Sequence, residues 1–402
     1  MIHKYKQGDM HIVLDVHSGA IHVVDPMIYR LLDFYPNPDK EAAVAALTAD
    51  AGANADSDAS LEAVEVYSED TVREGLEEID ALIEMGQLFS PDDYLDGTAF
   101  KKQPVIKALC LHVAHDCNIR CKYCFASQGD FHGERLLMPL ETGKRAFDFL
   151  VAHSGNRRNL EVDFFGGEPL MNFEVVKELV AYGRSLEAEN NKHFRFTITT
   201  NGVLLSDEII EFINAHMDNV VLSVDGRPEV NDFMRPAING QGTYEVIMPK
   251  FKKLVERRGD KTYYVRGTFT HFNTDFAKDV LHLADEGFKL TSVEPVVSEP
   301  HHDYTLTAGD MQTVFEQYDA LAEALIERAG TERDFKFFHF MIDLTQGPCV
   351  IKRVSGCGAG SEYIAVTPEG DIYPCHQYVG NTDFRMGNVD DGTFETRLAD
   401  DF

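Results

Sequence analysis

Between residues 104 and 300, short strand-like apolar runs alternate with longer stretches whose apolar positions recur at helical spacing. The strand-like runs fall at 105–113, 160–165, 194–199, 220–224, 263–270 and 290–297, and the helical stretches at 140–152, 173–186, 206–215, 244–257 and 275–286. Regular βα alternation predicts a parallel sheet with right-handed crossovers and six strands. Upstream the pattern differs. Residues 12–24 hold two alternating apolar runs around His17-Ser18-Gly19, which predicts a β-hairpin. Helical spacing follows at Met27, Ile28, Leu31, Leu32 and Tyr35, and again at Val72, Leu76, Ile79, Leu82 and Ile83. Residues 50–60, rich in Ala, Asp, Gly and Asn and without periodicity, read as a mobile loop. After residue 300 a helix at 309–328 leads into the aromatic stretch 335–340, and then into a second hairpin pattern with its turn at Thr367 to Gly370. Three regions are therefore expected: 1–98, 104–300 and 301–402.

The chemistry concentrates at Cys117, Cys121 and Cys124, in Asp116-Cys117-Asn118-Ile119-Arg120-Cys121-Lys122-Tyr123-Cys124-Phe125. C-x3-C-x2-C spacing suits one compact turn carrying three thiolates to an iron–sulfur cluster, one ligand short of a four-iron cube. The uncapped iron leaves a coordination site for a cofactor. Structural zinc sites come as two separated pairs with four ligands, which this triplet does not match. Disulfides fit poorly with seven cysteines, an odd number, and no secretory signal.

Cys117, Cys121, Tyr123 and Cys124 match the C-x3-C-x-aromatic-C signature, and the chain resembles the radical S-adenosylmethionine (SAM) superfamily. Gly166-Gly167-Glu168-Pro169 is similar to that family's GGEP element at the end of the second barrel strand, which receives the amino group of the cofactor. Thr200-Asn201-Gly202 and Ser223-Val224-Asp225-Gly226 resemble the segments after the third and fourth strands, where ribose contacts are made. Arg266 stands where relatives direct a side chain toward the cofactor carboxylate. The resemblance implies a partial (β/α)6 barrel, an α/β fold, with a 4Fe-4S cluster on Cys117, Cys121 and Cys124. It also implies S-adenosylmethionine against Tyr123, Phe125, Gly166, Gly167, Glu168, Asn201, Ser223, Asp225 and Arg266. In such proteins an electron passed into the sulfonium breaks a C–S bond and yields a 5′-deoxyadenosyl radical. Local chemistry agrees: paired glycines allow a close backbone approach, and a guanidinium on an apolar strand needs an anionic partner. Taken alone, GGEP is also an ordinary strand-to-helix turn, and Asp-Gly a commonplace one.

Region 1–98, a hairpin followed by helices, resembles the winged-helix RiPP recognition element that captures leader peptides. An exposed strand edge can bind an extended peptide by adding it to the sheet, although a lid or dimerisation domain fits the same pattern. Downstream, Cys357, twelve residues, Gly370, four residues and Cys375 resemble the start of a SPASM domain, which binds auxiliary 4Fe-4S clusters. The later cysteines of that pattern are missing before Phe402, so the chain is expected to be a truncated fragment, with Cys357 and Cys375 an incomplete auxiliary site. Cys349 and Cys110 are expected to be packed thiols. Together these features resemble the maturases of SCIFF peptides, small cysteine-rich ribosomal precursors. That resemblance implies an intrapeptide thioether as product, a leader-bearing cysteine-rich peptide as partner, and ferredoxin or flavodoxin as electron donor. Auxiliary clusters would form if the full-length chain supplies the remaining ligands. An anaerobic sulfatase-maturase type of reaction, forming formylglycine, and a catalytically dead peptide-binding fragment are the alternatives. No general base is assigned; His112, His115 and His132 lie near the motif.

Composition narrows the setting. At 402 residues and 44% hydrophobic content there is ample material for more than one core. A formal charge of −30 argues against nucleic acid, whose phosphates need basic surfaces. No apolar run approaches the ~20 residues needed to cross a bilayer. An oxygen-sensitive cluster and free thiols point to a reducing cytoplasm.

Overall fold

The computed structural model describes residues 1–49, 66–92, 105–343 and 357–395. The expected loop at 50–60 and Cys349 lie outside the described residues. The chain divides into two compact units: Met1–Lys101 with Ile342–Gly356, and Lys102–Met341 with Cys357–Phe402.

In the N-terminal unit, β1 (Ile2–Gln7), β2 (Met10–Asp15) and β3 (Ile21–Val24) form an antiparallel sheet in that order. The expected hairpin is β2–β3. Strand β1 escaped the sequence reading because Ile-His-Lys-Tyr-Lys-Gln carries no apolar stripe; backbone pairing with β2 holds it. Asp15 closes the hairpin by accepting the backbone N–H of His17 at 3.0 Å, of Ser18 at 2.9 Å and of Ser90 at 3.0 Å. Helices α1 (Pro26–Leu31), α2 (Lys40–Thr48) and α3 (Glu69–Glu84) follow. Asp25 caps α1 through the Ile28 N–H and Ser68 caps α3 through the Thr71 N–H, each satisfying a donor that the first turn leaves unpaired. Val13, Leu31, Leu47, Val72, Leu76 and Ile79 meet in one buried cluster.

The second unit is a mixed α/β fold built on a parallel sheet. Six parallel strands form its centre in the spatial order β10-β9-β8-β7-β6-β4: β4 (Ala108–His115), β6 (Asn159–Gly166), β7 (His193–Thr200), β8 (Asn219–Ser223), β9 (Tyr264–Phe269) and β10 (Leu290–Pro295). The short β5 (Leu136–Leu137) pairs antiparallel with β4. Helices α4 (Leu140–His153), α5 (Phe173–Asn190), α6 (Asp207–His216), α8 (Tyr244–Arg258) and α9 (Ala277–Asp285) form the crossovers, with a further short helix α7 (Pro228–Met234) after β8. Strand β7 shows the design: Phe194, Phe196 and Ile198 are fully buried in the core shared with the helices, while Arg195, Thr197 and Thr199 alternate onto the other face. One face of the sheet is thus covered and the other is left to line an interior space.

Helix α10 (Met311–Arg328) and strand β11 (Lys336–Phe337) extend the β10 side. On the opposite side β12 (Tyr363–Val366) pairs in parallel with β4, and β13 (Asp371–Tyr373), β14 (Gly387–Asn388) and β15 (Thr393–Phe394) continue antiparallel. Sequence alone set residues 301–402 apart. The described C-terminal residues instead continue the barrel sheet, because backbone pairing joins β12 to the first barrel strand. Among the described residues, no helix is long and apolar enough to cross a membrane.

Candidate cofactor site at the strand ends

A cavity of about 160 Å³ opens at the C-terminal ends of β4, β6, β7 and β8, where α/β folds gather ligand-binding loops. Its wall includes Cys117, Cys121, Cys124, Tyr123, Phe125, Gly166, Gly167, Glu168, Asn201 and Ser223, together with Arg235. Residues scattered over more than a hundred positions are brought together because each follows a strand of the same parallel sheet.

The cysteine loop is fastened at both ends. Its Arg120 and Lys122 N–H groups donate to Pro236 O at 2.8 Å and Met234 O at 2.9 Å. The Arg120 guanidinium turns back to Cys117 O at 2.6 Å and Ile119 O at 2.8 Å. Neighbouring loops hold it from the other side: Gly167 N–H donates to Ala114 O at 2.8 Å and Glu168 N–H to Asp116 O at 2.9 Å. That approach demands glycine. A Cβ on Gly166, whose φ is +125°, would lie 2.2 Å from Ala114 O, and one on Gly167 would lie 2.2 Å from Asp116 O.

Glu168 is only 1% exposed. It accepts from Thr200 Oγ1 at 2.8 Å, Asn201 N–H at 2.8 Å and Leu170 N–H at 3.1 Å. Burial pushes its carboxyl up to about 7, against the pull of those three donors. The side chain therefore welds the β6 and β7 loops together. Asn201 completes the link, its Nδ2 lying 2.7 Å from Asn118 Oδ1 and 3.7 Å from Cys117 Sγ.

Two sequence expectations change. Asp225 does not line the cavity: it is 0% exposed, and both carboxylate oxygens accept from Tyr123 OH, at 2.7 and 2.8 Å. Arg235 sits 3.8 Å from Asp225 and donates to Tyr123 OH at 2.9 Å. Burial pushes Asp225 up to about 6 even so. Asp225 thus braces the aromatic residue of the cysteine loop from behind. Arg266 does not line the cavity either; it is exposed on β9. The guanidinium at the cavity is Arg235, which sequence reasoning missed. Arg235 lies more than a hundred residues beyond the cysteines, and only its place in the apolar run Phe233-Met234-Arg235-Pro236 marks it as unusual.

The C-terminal hairpin forms as expected, with Gly370 N–H donating to Thr367 O at 2.9 Å. Cys357 precedes β12 and is exposed; Cys375 follows β13 and is partly buried. Burial raises the Cys375 thiol, and the charge of Cys357 adds to that shift. Cys110 is 1% exposed in the barrel wall, as expected of a packed thiol. His376, next in the chain, stands 5.5 Å from the Phe125 ring and 5.2 Å from that of Phe165, both of which line the cavity. His112 and His115 are buried against each other, with Nδ1 of the first 3.1 Å from Nε2 of the second.

The residues present suit an iron–sulfur cluster. Cys117, Cys121 and Cys124 are free thiols around one cavity. Burial pushes Cys117 up to about 11, helped by the nearby Glu168, and Cys121 up to about 12. Such thiols become thiolates only beside strong positive charge, which a metal centre supplies. Arg235, buried with its Nε unpartnered, stands ready to offset the resulting anionic cluster. Among the described residues no three His, Cys, Asp or Glu converge as ligands of a single metal ion. A four-iron cluster does not need that convergence, since each thiolate takes a different iron.

Comparison with known proteins agrees with this donor set. Residues 111–287 match the radical SAM superfamily model, and residues 357–400 match SPASM, an iron–sulfur cluster-binding domain. The chain carries a radical SAM domain. The chain is 33% identical over 136 residues to MJ0907 of Methanocaldococcus jannaschii, covering 34% of this chain and 44% of that protein. It is 25% identical over 299 residues to the cysteine-type anaerobic sulfatase-maturating enzyme of Clostridium novyi, covering 69% of this chain and 75% of that one. The radical SAM fold is shared with AdoMet-bound anSMEcpe, at a TM-score of 0.58 and 20% identity, covering 72% of this chain and 79% of that one. Streptococcus suis SuiB bound to S-adenosylmethionine aligns at a TM-score of 0.53 and 16% identity, covering 96% of this chain and 84% of that one.

Proposed function

We propose that this protein is a radical SAM peptide maturase that joins a cysteine sulfur to a carbon of the same ribosomally made precursor, forming a thioether. One observation carries the peptide reading: the likeness to SuiB extends over 96% of the chain and so takes in the N-terminal unit, whereas the likeness to anSMEcpe covers 72%. SuiB is also known bound to its precursor peptide SuiA. A three-stranded sheet with open edges, such as β1-β2-β3, offers backbone groups to which a leader peptide would add.

In this reading Cys117, Cys121 and Cys124 hold a 4Fe-4S cluster, and Gly166, Gly167, Asn201 and Ser223 border S-adenosylmethionine. When bound and reduced, this pair supplies a carbon radical able to take a hydrogen atom from an unactivated C–H bond. The protein's own work is placement. Glu168 and Asn201 lock the loops, Tyr123 and Asp225 brace the cysteine loop, and Arg235 offsets negative charge at its edge. Phe125, Phe165 and His376 form an aromatic wall beside the cysteine loop. Cys357 and Cys375 would contribute to an auxiliary cluster; ferredoxin or flavodoxin in a reducing cytoplasm would supply electrons.

The test is anaerobic reconstitution with iron and sulfide, followed by incubation with S-adenosylmethionine, a reductant and cysteine-rich peptides encoded beside the chain. Expected are 5′-deoxyadenosine and a peptide lighter by two hydrogens that has lost an alkylatable thiol. Absence of 5′-deoxyadenosine would leave only a peptide-binding role. The relation to the C. novyi enzyme supports a second reading, conversion of cysteine to formylglycine, in which the peptide would lose sulfur and gain an aldehyde. Deleting residues 1–98 separates the two, since only the maturase needs a leader-binding region.

A further inference from the structure

One strand beyond the cofactor cavity, the barrel interior holds a cation that the cavity does not use. Register sets Ser223 of β8 opposite Arg266 of β9, and Arg266 opposite Ser292 of β10. Side chains two apart on a strand share a face, so Ser292 and Glu294 look into the same space as Ser223, which lines the cavity. Neighbouring strands are ~4.8 Å apart, which puts Arg266 within one peptide residue of the cofactor wall.

Arg266 is exposed, and it has no hydrogen-bond or ion-pair partner among the described residues. That is unusual in a chain with 67 acidic residues against 37 Lys and Arg. Glu294, an acidic side chain on this face, is held elsewhere. Glu294 Oε2 lies 2.7 Å from His339 Nε2, Ser292 Oγ donates to Glu294 Oε1 at 2.5 Å, and Tyr318 OH lies 2.9 Å from His339 Nδ1. Packing of the His339 ring 4.9 Å from Phe337 fixes the imidazole further. With both oxygens engaged, Glu294 does not swing across to Arg266. The field of the guanidinium still reaches its surroundings. Burial raises the Glu294 carboxyl, but His339, Ser292 and then Arg266 together hold it below its ordinary value. His376 is lowered to about 4 by burial first and by the charge of Arg266 second.

We propose that Arg266 is a substrate subsite that receives an anionic group of the peptide, a glutamate or aspartate side chain close in sequence to the cysteine being modified. The Glu294–His339–Tyr318 chain keeps the subsite open by engaging a carboxylate on the same face. A guanidinium forks onto a carboxylate through two parallel N–H bonds, so it fixes direction as well as position. This inference rests on the peptide-maturase reading and says which peptides that site takes. The same carboxylate chemistry exists in S-adenosylmethionine, and the test separates the two sources.

Two synthetic cysteine-containing peptides differ only in a glutamate or a glutamine two positions after the cysteine. Their binding to the full chain is followed by fluorescence anisotropy, without cluster or cofactor, for the native protein, Arg266→Gln and Arg266→Glu. Native protein is expected to prefer the glutamate peptide at least tenfold, Arg266→Gln to bind both equally, and Arg266→Glu to prefer the glutamine peptide. His339→Gln, which frees Glu294 to pair with Arg266, is expected to weaken the preference at least threefold while the protein stays folded by circular dichroism. Equal binding of the two peptides by native protein, or a preference that survives Arg266→Gln, overturns the proposal. A tenfold loss of S-adenosylmethionine affinity in reconstituted Arg266→Gln, with peptide preference intact, assigns the arginine to the cofactor and overturns it as well. Formation of 5′-deoxyadenosine by the native protein reports separately on the underlying maturase reading.

Discussion

The two groups of cysteines in the barrel unit are held in different ways. Cys117, Cys121 and Cys124 sit in a loop fastened by main-chain hydrogen bonds to the segment after α7 and to the β6 loop, with Glu168 and Asp225 buried behind it. Cys357 and Cys375 flank a hairpin; one thiol is exposed and the other partly buried, and Tyr363 OH lies 3.3 Å from His376 Nδ1 beside them. A site that must keep one geometry through an electron transfer benefits from rigid support. A site that grips a substrate sulfur benefits from access. In the proposed reading, the contrast separates a radical-generating region from a substrate-facing one.

The largest expected effect tests that separation directly. Cys121→Ala should reduce S-adenosylmethionine cleavage at least about a hundredfold, because a cluster short of a second ligand is not retained. Cys375→Ala should leave cleavage within about threefold while peptide modification disappears. Iron content and 5′-deoxyadenosine, measured side by side, report the difference. Equal loss of cleavage in both variants would break the comparison.

The two arginines sharpen it next. Arg235→Gln leaves Asp225 buried without a countercharge and should cost about 3–5 kcal/mol in urea unfolding of the apo protein. Arg266→Gln removes an exposed side chain with no partner among the described residues, so the same measurement should move by less than about 0.5 kcal/mol. A large cost at Arg266 would mean that it supports the fold and is not held free for a ligand.

These arginines also show what could be read from the chain alone. Strands and crossovers were legible because apolar residues alternate cleanly, as in His193–Thr200, and helices cover only one face. The cysteine loop and GGEP were legible because their chemistry is local: three thiols within eight residues, and two glycines where another backbone passes within van der Waals distance. Partnerships across the barrel were not. Nothing local distinguishes Asp225, which turns inward to Tyr123, from an Asp in any Asp-Gly turn. Arg266 was correctly noticed as an unusual charge on an apolar strand, but strand alternation alone does not say which neighbouring space it enters. Likewise β1 has no apolar stripe to reveal it.

Below the C-terminal hairpin, Asp163 gives a pH test of the substrate-facing side. Its carboxyl is pushed up to about 6, mainly by burial and then by Glu161. The folded state therefore holds this proton more tightly than the unfolded chain does. The contribution of Asp163 to stability is greatest below about pH 4 and falls as pH rises to about 6, by about 2 kcal/mol after allowance for partial exposure, then levels off. Asp163→Asn should lessen that slope and leave the part due to Glu168 and Asp225, whose carboxyls burial also raises. Unfolding by urea at pH 4.5 and pH 7 measures it, and an unchanged slope would place the raised proton affinity on another group.

The smallest effect asks what attaches the hairpin to the barrel. If backbone pairing of β12 with β4 does so, from Tyr363 opposite Ala108 to Val366 opposite Leu111, the side-chain contacts around it contribute little. Tyr363→Phe removes the hydroxyl that meets His376 Nδ1 at 3.3 Å and leaves the ring and the strand in place. The expected cost is about 1 kcal/mol, the net worth of one hydrogen bond. Protease sensitivity between residues 357 and 376 should not change. A larger loss with cleavage in that segment would show that the tyrosine hydroxyl holds the hairpin against the barrel. The second cysteine pair would then be as firmly built as the first, and the distinction between a rigid radical-generating region and an accessible substrate-facing one would fall.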